Sequence, residues 1–323
     1  MDMIKIKKFS ESEKAKWDLF VDSSNNGTIF HLRKFLNYHP KGRFSDHSLL
    51  AYKKGRLIGV IPAAIKKIND KNFFISHPGL SVGSFIIKDN LSISDSLSLV
   101  KTFYNYVYEN GFDGIRITLM PIVYQKKLSN YIEFYLFKHG FKYIKRELSS
   151  VLFLEKKLEL NLKKFRPSHL RAVRSALKKN IEVKKSNDYL TFYKLLEKNL
   201  LLRHNVYPTH SLNELKKLVK LFPNRINLFT ANVKDEMVAG VINFILNKNT
   251  VLAFYICHDD SYKEYKPVNL LFYNIIDWAI KKKYSTYDFG LFTINGIPNM
   301  GLGRFKENFG ASGVFRDTIE VIF

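Results

Sequence analysis

Between Lys156 and Lys185 the chain carries eleven lysines or arginines and two glutamates. Arg171, Arg174 and Lys178 recur there at helical spacing with no acid between them, so a helix would present a cationic stripe beside an apolar face of Leu170, Val173 and Leu177. Such a stripe suits a phosphate-bearing partner; the plainer alternative is a solvated helix face. Groups able to accept a proton occur at Asp288, Glu307 and His204. Asp288 could orient an amine or simply bond loop amides. Its context, Tyr287-Asp-Phe-Gly290, imitates a kinase triplet, but no His-Arg-Asp loop or glycine-rich loop precedes it. The nine histidines form no His-Glu-x-x-His, the single cysteine is Cys257 and no Gly-x-Ser-x-Gly occurs, so neither a metal centre nor a serine hydrolase is expected. Two early segments could meet an acceptor. Phe30–Tyr38 would present Lys34 and Tyr38 on adjacent helical faces, and His77–Gly83 offers glycines where backbone could approach a diphosphate or merely turn.

The elements that must position these groups belong to a packed globular protein. The 323 residues are 46% apolar and 25% charged, which excludes disorder and a collagen-like chain and suggests about two domains. Lys+Arg minus Asp+Glu is 52 − 29, a net charge of +23, which favours a polyanion: tRNA, a nucleotide-sugar or an anionic membrane face. The same lysine excess, with abundant Asn, Ile and Tyr, also arises from an AT-biased genome. Apolar runs such as Val251–Cys257 fall short of the roughly 18 residues a spanning helix needs. The first ten residues lack a signal-type apolar run, so a cytoplasmic location is expected.

The order of elements repeats. Periodicity predicts a helix near 11–22, strands near 47–52, 57–65 and 73–76, a helix over 92–110, a strand near 114–119, a helix near 126–139 and a strand near 149–154. In the second half Ala231–Ile245 lies over Ala51–Ile65 without a gap, each a hairpin with a charged tip. A strand near 250–257, a helix near 267–283 and a strand near 286–289 follow. The closing segments Phe137–Phe141 and Phe305–Phe309 also correspond, each before a final strand. An internal duplication is the expectation, with domains 1–155 and 156–323, the second beginning with the basic helix.

Arg171–Val183, Arg203-His204 before Pro208, the helix after Tyr265-Lys-Pro267, Tyr287–Gly290 and Gly303–Gly310 occur in an order that resembles the FemA/FemB/FemX-type acyltransferases and related GNAT-fold enzymes. The likeness is strongest from about Leu160 onward. It implies an α/β (α+β) fold of two tandem GNAT-like domains, each a mixed, largely antiparallel sheet flanked by helices, with the acceptor held between them. The implied reaction moves an aminoacyl or acyl group from aminoacyl-tRNA or acyl-CoA, a co-substrate rather than a tightly bound cofactor, to an amine of a peptidoglycan peptide or amino sugar. The acceptor would be nucleotide-linked or lipid-linked, with peripheral membrane association.

The resemblance carries a catalytic role to Lys306, with Phe305 beside it. Asp288 is a candidate base, and Arg171, Arg174, Arg203, His204 and Tyr255, with Lys34 and Tyr38, are the candidate substrate-binding residues. Acetyl-CoA enzymes hold pyrophosphate on a glycine-containing loop before a helix. Here that stretch is Tyr262–Leu271, without glycine, leaving Lys263 and Lys266 to meet phosphate and giving weight to an aminoacyl-tRNA donor. The alternatives are an acetyl-CoA-dependent N-acetyltransferase of polysaccharide synthesis and, from another class, a non-catalytic nucleic-acid-binding protein.

Overall fold

The computed structural model describes residues 3–40, 42–204 and 206–323, the side chains of residues 203 and 204 excepted. The chain forms two compact units, Met1–Leu148 with Val314–Phe323, and Ser149–Gly313.

In the first unit strands β1 (Leu49–Lys53) and β2 (Arg56–Ile61) form a hairpin. Its tip, Lys54-Gly55, takes φ of 48° and 73°, the left-handed pair of a tight two-residue turn. Pro62 ends β2, since it has no N–H to give a ladder, and β3 (Ala63–Ile68) continues in a different sheet. β3 pairs antiparallel with β4 (Lys71–Ser76), and β4 pairs parallel with β5 (Gly114–Thr118) across helix α1 (Ile93–Glu109). Ser92 caps α1 by accepting the Asp95 N–H at 3.1 Å, and Leu99, Val100, Phe103 and Val107 form its buried face. Helix α2 (Tyr131–Lys138) and strand β6 (Lys142–Phe153) follow.

The second unit repeats this plan. After helices α3 (Pro167–Leu177) and α4 (Tyr189–His204), hairpin β7 (Ile226–Val233) and β8 (Glu236–Ile245) turns through Lys234-Asp235, with φ of 49° and 64°. The ladder slips between Ala231 and Asn232, as it slips between Ala51 and Tyr52 in the first hairpin, the positions the gapless overlay equates. β9 (Thr250–His258) pairs antiparallel with β8 and parallel with β10 (Thr286–Leu291) across α5 (Pro267–Lys281). Helix α6 (Met300–Glu307) then precedes the C-terminal strand Ser312–Ile322. Each unit thus contains a GNAT-like mixed sheet with flanking helices, as expected.

Several expectations need correction. The division 1–155 and 156–323 differs from the observed units because the C-terminal strand pairs with β5, Ile319 opposite Ile117, and buries Ile319 in the first unit's core. Residues 149–153 of β6 instead pair with β10 in the second unit. The closing segments correspond two residues away from the expected overlay. Left-handed Gly140 (φ 83°) and Gly310 (φ 85°) each stand two residues before a strand, which equates Leu136 with Lys306. Finally, in α3 the inward residues are Val173 and Ala176, whereas Leu177 is exposed at the helix end.

Phe30–Tyr38 is not one helix. Only Arg33–Leu36 is α-helical, and Tyr38 lies beyond it, buried, with its ring 5.2 Å from Phe35; Lys34 faces solvent. His77–Gly83 is a structural turn. Val82 is fully buried, and the Gly83 N–H donates to the Thr118 carbonyl at 3.1 Å. His77 is buried beside Phe44, and burial drives its pKa down to about 4 while Asp46 pulls the other way. The folded form therefore holds the proton less well than the unfolded chain. His77 contributes fully above the unfolded value near 6.5 and loses that contribution as pH falls towards 4. Stability at pH 5 should lie about 2 kcal/mol below that at pH 8 on this account, and His77→Gln should flatten that slope in urea titrations at a series of pH values.

Candidate active site

β9 and β10 are hydrogen-bonded only through the pairs Thr250–Thr286, Val251–Tyr287 and Leu252–Asp288. Beyond them β9 bends. Its ladder with β8 steps from Ile242–Tyr255 to Asn243–Ala253, so Phe254 is an extra residue, a bulge that turns the strand aside. A cavity of about 920 Å³ opens where the strands part, with Ala253–Ile256 on one wall and Phe289–Leu291 on the other. Such a gap strands backbone carbonyls that must find donors. Lys306, only 2% exposed, meets them: its ammonium donates to the Gly290 carbonyl at 2.8 Å and the Leu291 carbonyl at 2.7 Å. Lys306 sits on the last turn of α6, beside Phe305, whose ring packs 5.2 Å from Phe309. Both residues line the cavity.

Asp288 is fully buried and lies behind the lining rather than in it. It accepts the Gly290 N–H at 2.6 Å and the Ser149 hydroxyl, so it shapes the backbone turn that Lys306 reads. Gly290 has φ 78°, a conformation that penalises a side chain. Glu307 points to solvent and pairs with Arg166 at 2.9 Å.

Lys263 and Lys266 both line the cavity. Lys263 lies within the short 3-10 turn Asp260–Tyr265 and Lys266 follows it, leading into α5, where Pro267 occupies the first helical position and its missing N–H costs nothing. The amides here are largely committed. Ser261 N–H donates to Asp259 Oδ1, Tyr262 N–H to the Asp259 carbonyl, Lys266 N–H to the Lys263 carbonyl and Asn269 N–H to the Lys266 carbonyl. What this turn offers an anion is therefore lysine side chains rather than an amide cradle. Arg171 and Arg174 are exposed on α3, with Lys178 at its end, and Lys179 donates to the Glu264 carbonyl and lies 5.3 Å over the Tyr265 ring. That contact joins the end of the basic helix to the turn carrying Lys263.

Tyr255 also lines the cavity. Its hydroxyl accepts the His210 N–H at 3.1 Å and lies 2.8 Å from His210 Nδ1, and burial pushes its pKa up to about 12, so it stays a neutral hydroxyl donor at physiological pH. Arg203 and His204 end α4, and their side chains lie outside the described residues. The structure adds His258, which sequence reasoning missed. It ends β9 in the lining, its Nε2 is 3.2 Å from Asp260, and Asn199 clamps its backbone through both N–H and carbonyl. A histidine followed by two aspartates at a strand end was the available signal. Among the lining residues there is no carboxylate, against three lysines. Among the described residues no group of three or more metal-ligating side chains occurs, and no helix is long and apolar enough to cross a membrane.

Asp288→Ala would strand the Gly290 N–H and the Ser149 hydroxyl, and urea unfolding should show a loss of about 1–3 kcal/mol. Arg171→Glu with Arg174→Glu should weaken binding of a phosphate-bearing partner and flatten the dependence of affinity on salt; an unchanged slope would make α3 a solvated face.

Residues 163–306 match the family model described as Acetyltransferase (GNAT) domain. No curated protein matches the chain by sequence. Among solved structures, FemX superposes with a TM-score of 0.76 at 15% identity, covering 99% of this chain and 97% of that one. L-PGS from Bacillus licheniformis gives 0.59 at 12% identity over 94% and 90%. A tandem GNAT protein from the clavulanic acid biosynthesis pathway gives 0.54 at 8% over 99% and 98%. The chain therefore has the FemX-like, tandem GNAT fold, with an acetyltransferase (GNAT) domain matched in its second half.

Proposed function

We propose that this protein is an acyltransferase that moves an aminoacyl or acyl group from an activated donor to an amine of a cell-envelope precursor, in the cytoplasm. The observation that carries the reading is the buried Lys306 ammonium at the parting of β9 and β10, in a cavity whose other lining cations, Lys263 and Lys266, stand at the start of α5. The likeness to FemX and to L-PGS supports an envelope substrate.

The amine attacks the donor carbonyl, forming the C–N bond and a tetrahedral oxyanion; the ester C–O or thioester C–S bond then breaks. Lys306, held by two carbonyls, is a preorganised cation for the charge that develops, and preorganised electrostatics of this kind usually supply the largest share of such catalysis. Tyr255 offers a neutral hydroxyl. The amine's proton needs an acceptor, and His258, oriented by Asp260, is the lining group suited to take it and return it to the leaving oxygen or sulfur. Committed amides and free-standing lysines before α5 favour aminoacyl-tRNA over acyl-CoA. The alternative, an acetyl-CoA-dependent N-acetyltransferase, draws on the GNAT family match.

The test incubates the protein with labelled aminoacyl-tRNA or acyl-CoA and a UDP-linked muropeptide or amino sugar, with product read by mass spectrometry. Lys306→Met should lower kcat by about 10²–10³, as loss of an oxyanion donor does, and His258→Ala by about 10². Consumption of neither donor would sink the reading; consumption of acyl-CoA alone would select the N-acetyltransferase.

A further inference from the structure

At the mouth of the same cavity a two-stranded hairpin, Thr293–Ile294 and Ile297–Pro298, stands between the lining residues Leu291 and Asn299. Its turn, Asn295-Gly296, has φ of 52° and 75°, the tightest connection a hairpin allows. Ile294 and Ile297 are directly opposite one another, so their side chains share one face of the tip. They are 70% and 72% exposed, and Met300, just past the hairpin, is 55% exposed. Exposed isoleucines at a tip cost solubility and contribute nothing to the core, so they call for an apolar partner.

The surrounding charge says which partner. From Phe289 to Lys306 there is no acidic residue, and Arg304 is exposed one helical turn beyond Met300, on the same face of α6. Across the cavity the lining residue Tyr207 is 70% exposed, an aromatic with a polar tip of the kind that settles at a membrane interface. Apolar tips, a flanking arginine and no carboxylate in the rim hairpin match the boundary between acyl chains and anionic headgroups.

The geometry points to this hairpin as an interfacial anchor that inserts Ile294 and Ile297 into an anionic bilayer and sets the cavity mouth at the headgroup level. The docking surface does not rest on the transferase reading.

Flotation of the full chain with phosphatidylcholine vesicles, with and without phosphatidylglycerol, tests the anchor in the absence of donor and acceptor. The protein should float with the phosphatidylglycerol vesicles. Ile294→Asp with Ile297→Asp should weaken binding about a hundredfold through lost apolar burial, and Arg304→Glu about fivefold through lost headgroup attraction. Should the aspartates lower Tm, Ile294→Ser with Ile297→Ser should still lose about tenfold. The proposal is overturned if the wild type stays with neither vesicle, or if binding survives both isoleucine pairs and is lost instead in Arg171→Glu/Arg174→Glu, which would make it simple electrostatic attraction to α3. Failure here leaves transfer to a soluble acceptor untouched, and failure of transfer leaves flotation unchanged.

Discussion

Two parallel strands that stop pairing after three residues create the central demand of the second unit: backbone groups in a gap must be satisfied, or the gap must be filled. The second unit satisfies them with charge. The Lys306 ammonium bridges the Gly290 and Leu291 carbonyls, and Asp288 holds the Gly290 amide from behind. One buried lysine therefore answers the stranded carbonyls and also stands in the cavity lining. A lysine hydrogen-bonded in this way is less free to relax than one in solvent, which is what a preorganised charge requires.

The first unit meets the same demand by filling. There the Thr118 N–H donates to the Ser76 hydroxyl oxygen at 2.8 Å, and the Thr118 carbonyl accepts the Gly83 N–H from the His77–Phe85 segment. Where the second unit has Lys306, the first has the fully buried Leu136. One plan thus places a buried leucine in one copy and a cavity-lining lysine in the other, and different groups answer the unpaired backbone in each.

The electrostatics follow the same division. A net charge of +23 spread over the chain attracts anions without selecting among them. The arrangement is more particular: lysines and no carboxylate in the lining, largely committed amides before α5, and a basic helix whose end is tied to the turn carrying Lys263.

The amino-acid order by itself determined the duplicated plan, because hairpin tips, alternating strands and amphipathic helices are local patterns: Ala51–Ile65 over Ala231–Ile245 reproduces even the ladder slip. It also marked Lys306, Lys263, Lys266 and Tyr255, all of which line one cavity. Local pattern was silent on burial and partnership. Tyr38 reads as a helix-face residue and is core, Asp288 reads as a base and is a backbone brace, and His258, marked only by the two aspartates after it, lines the cavity. Even the match between Leu136 and Lys306 needed the backbone, since it rests on two left-handed glycines rather than on like residues. Tertiary structure decided these because the free energy of a polar group depends on what the fold brings within hydrogen-bonding distance, and chain neighbours do not supply that.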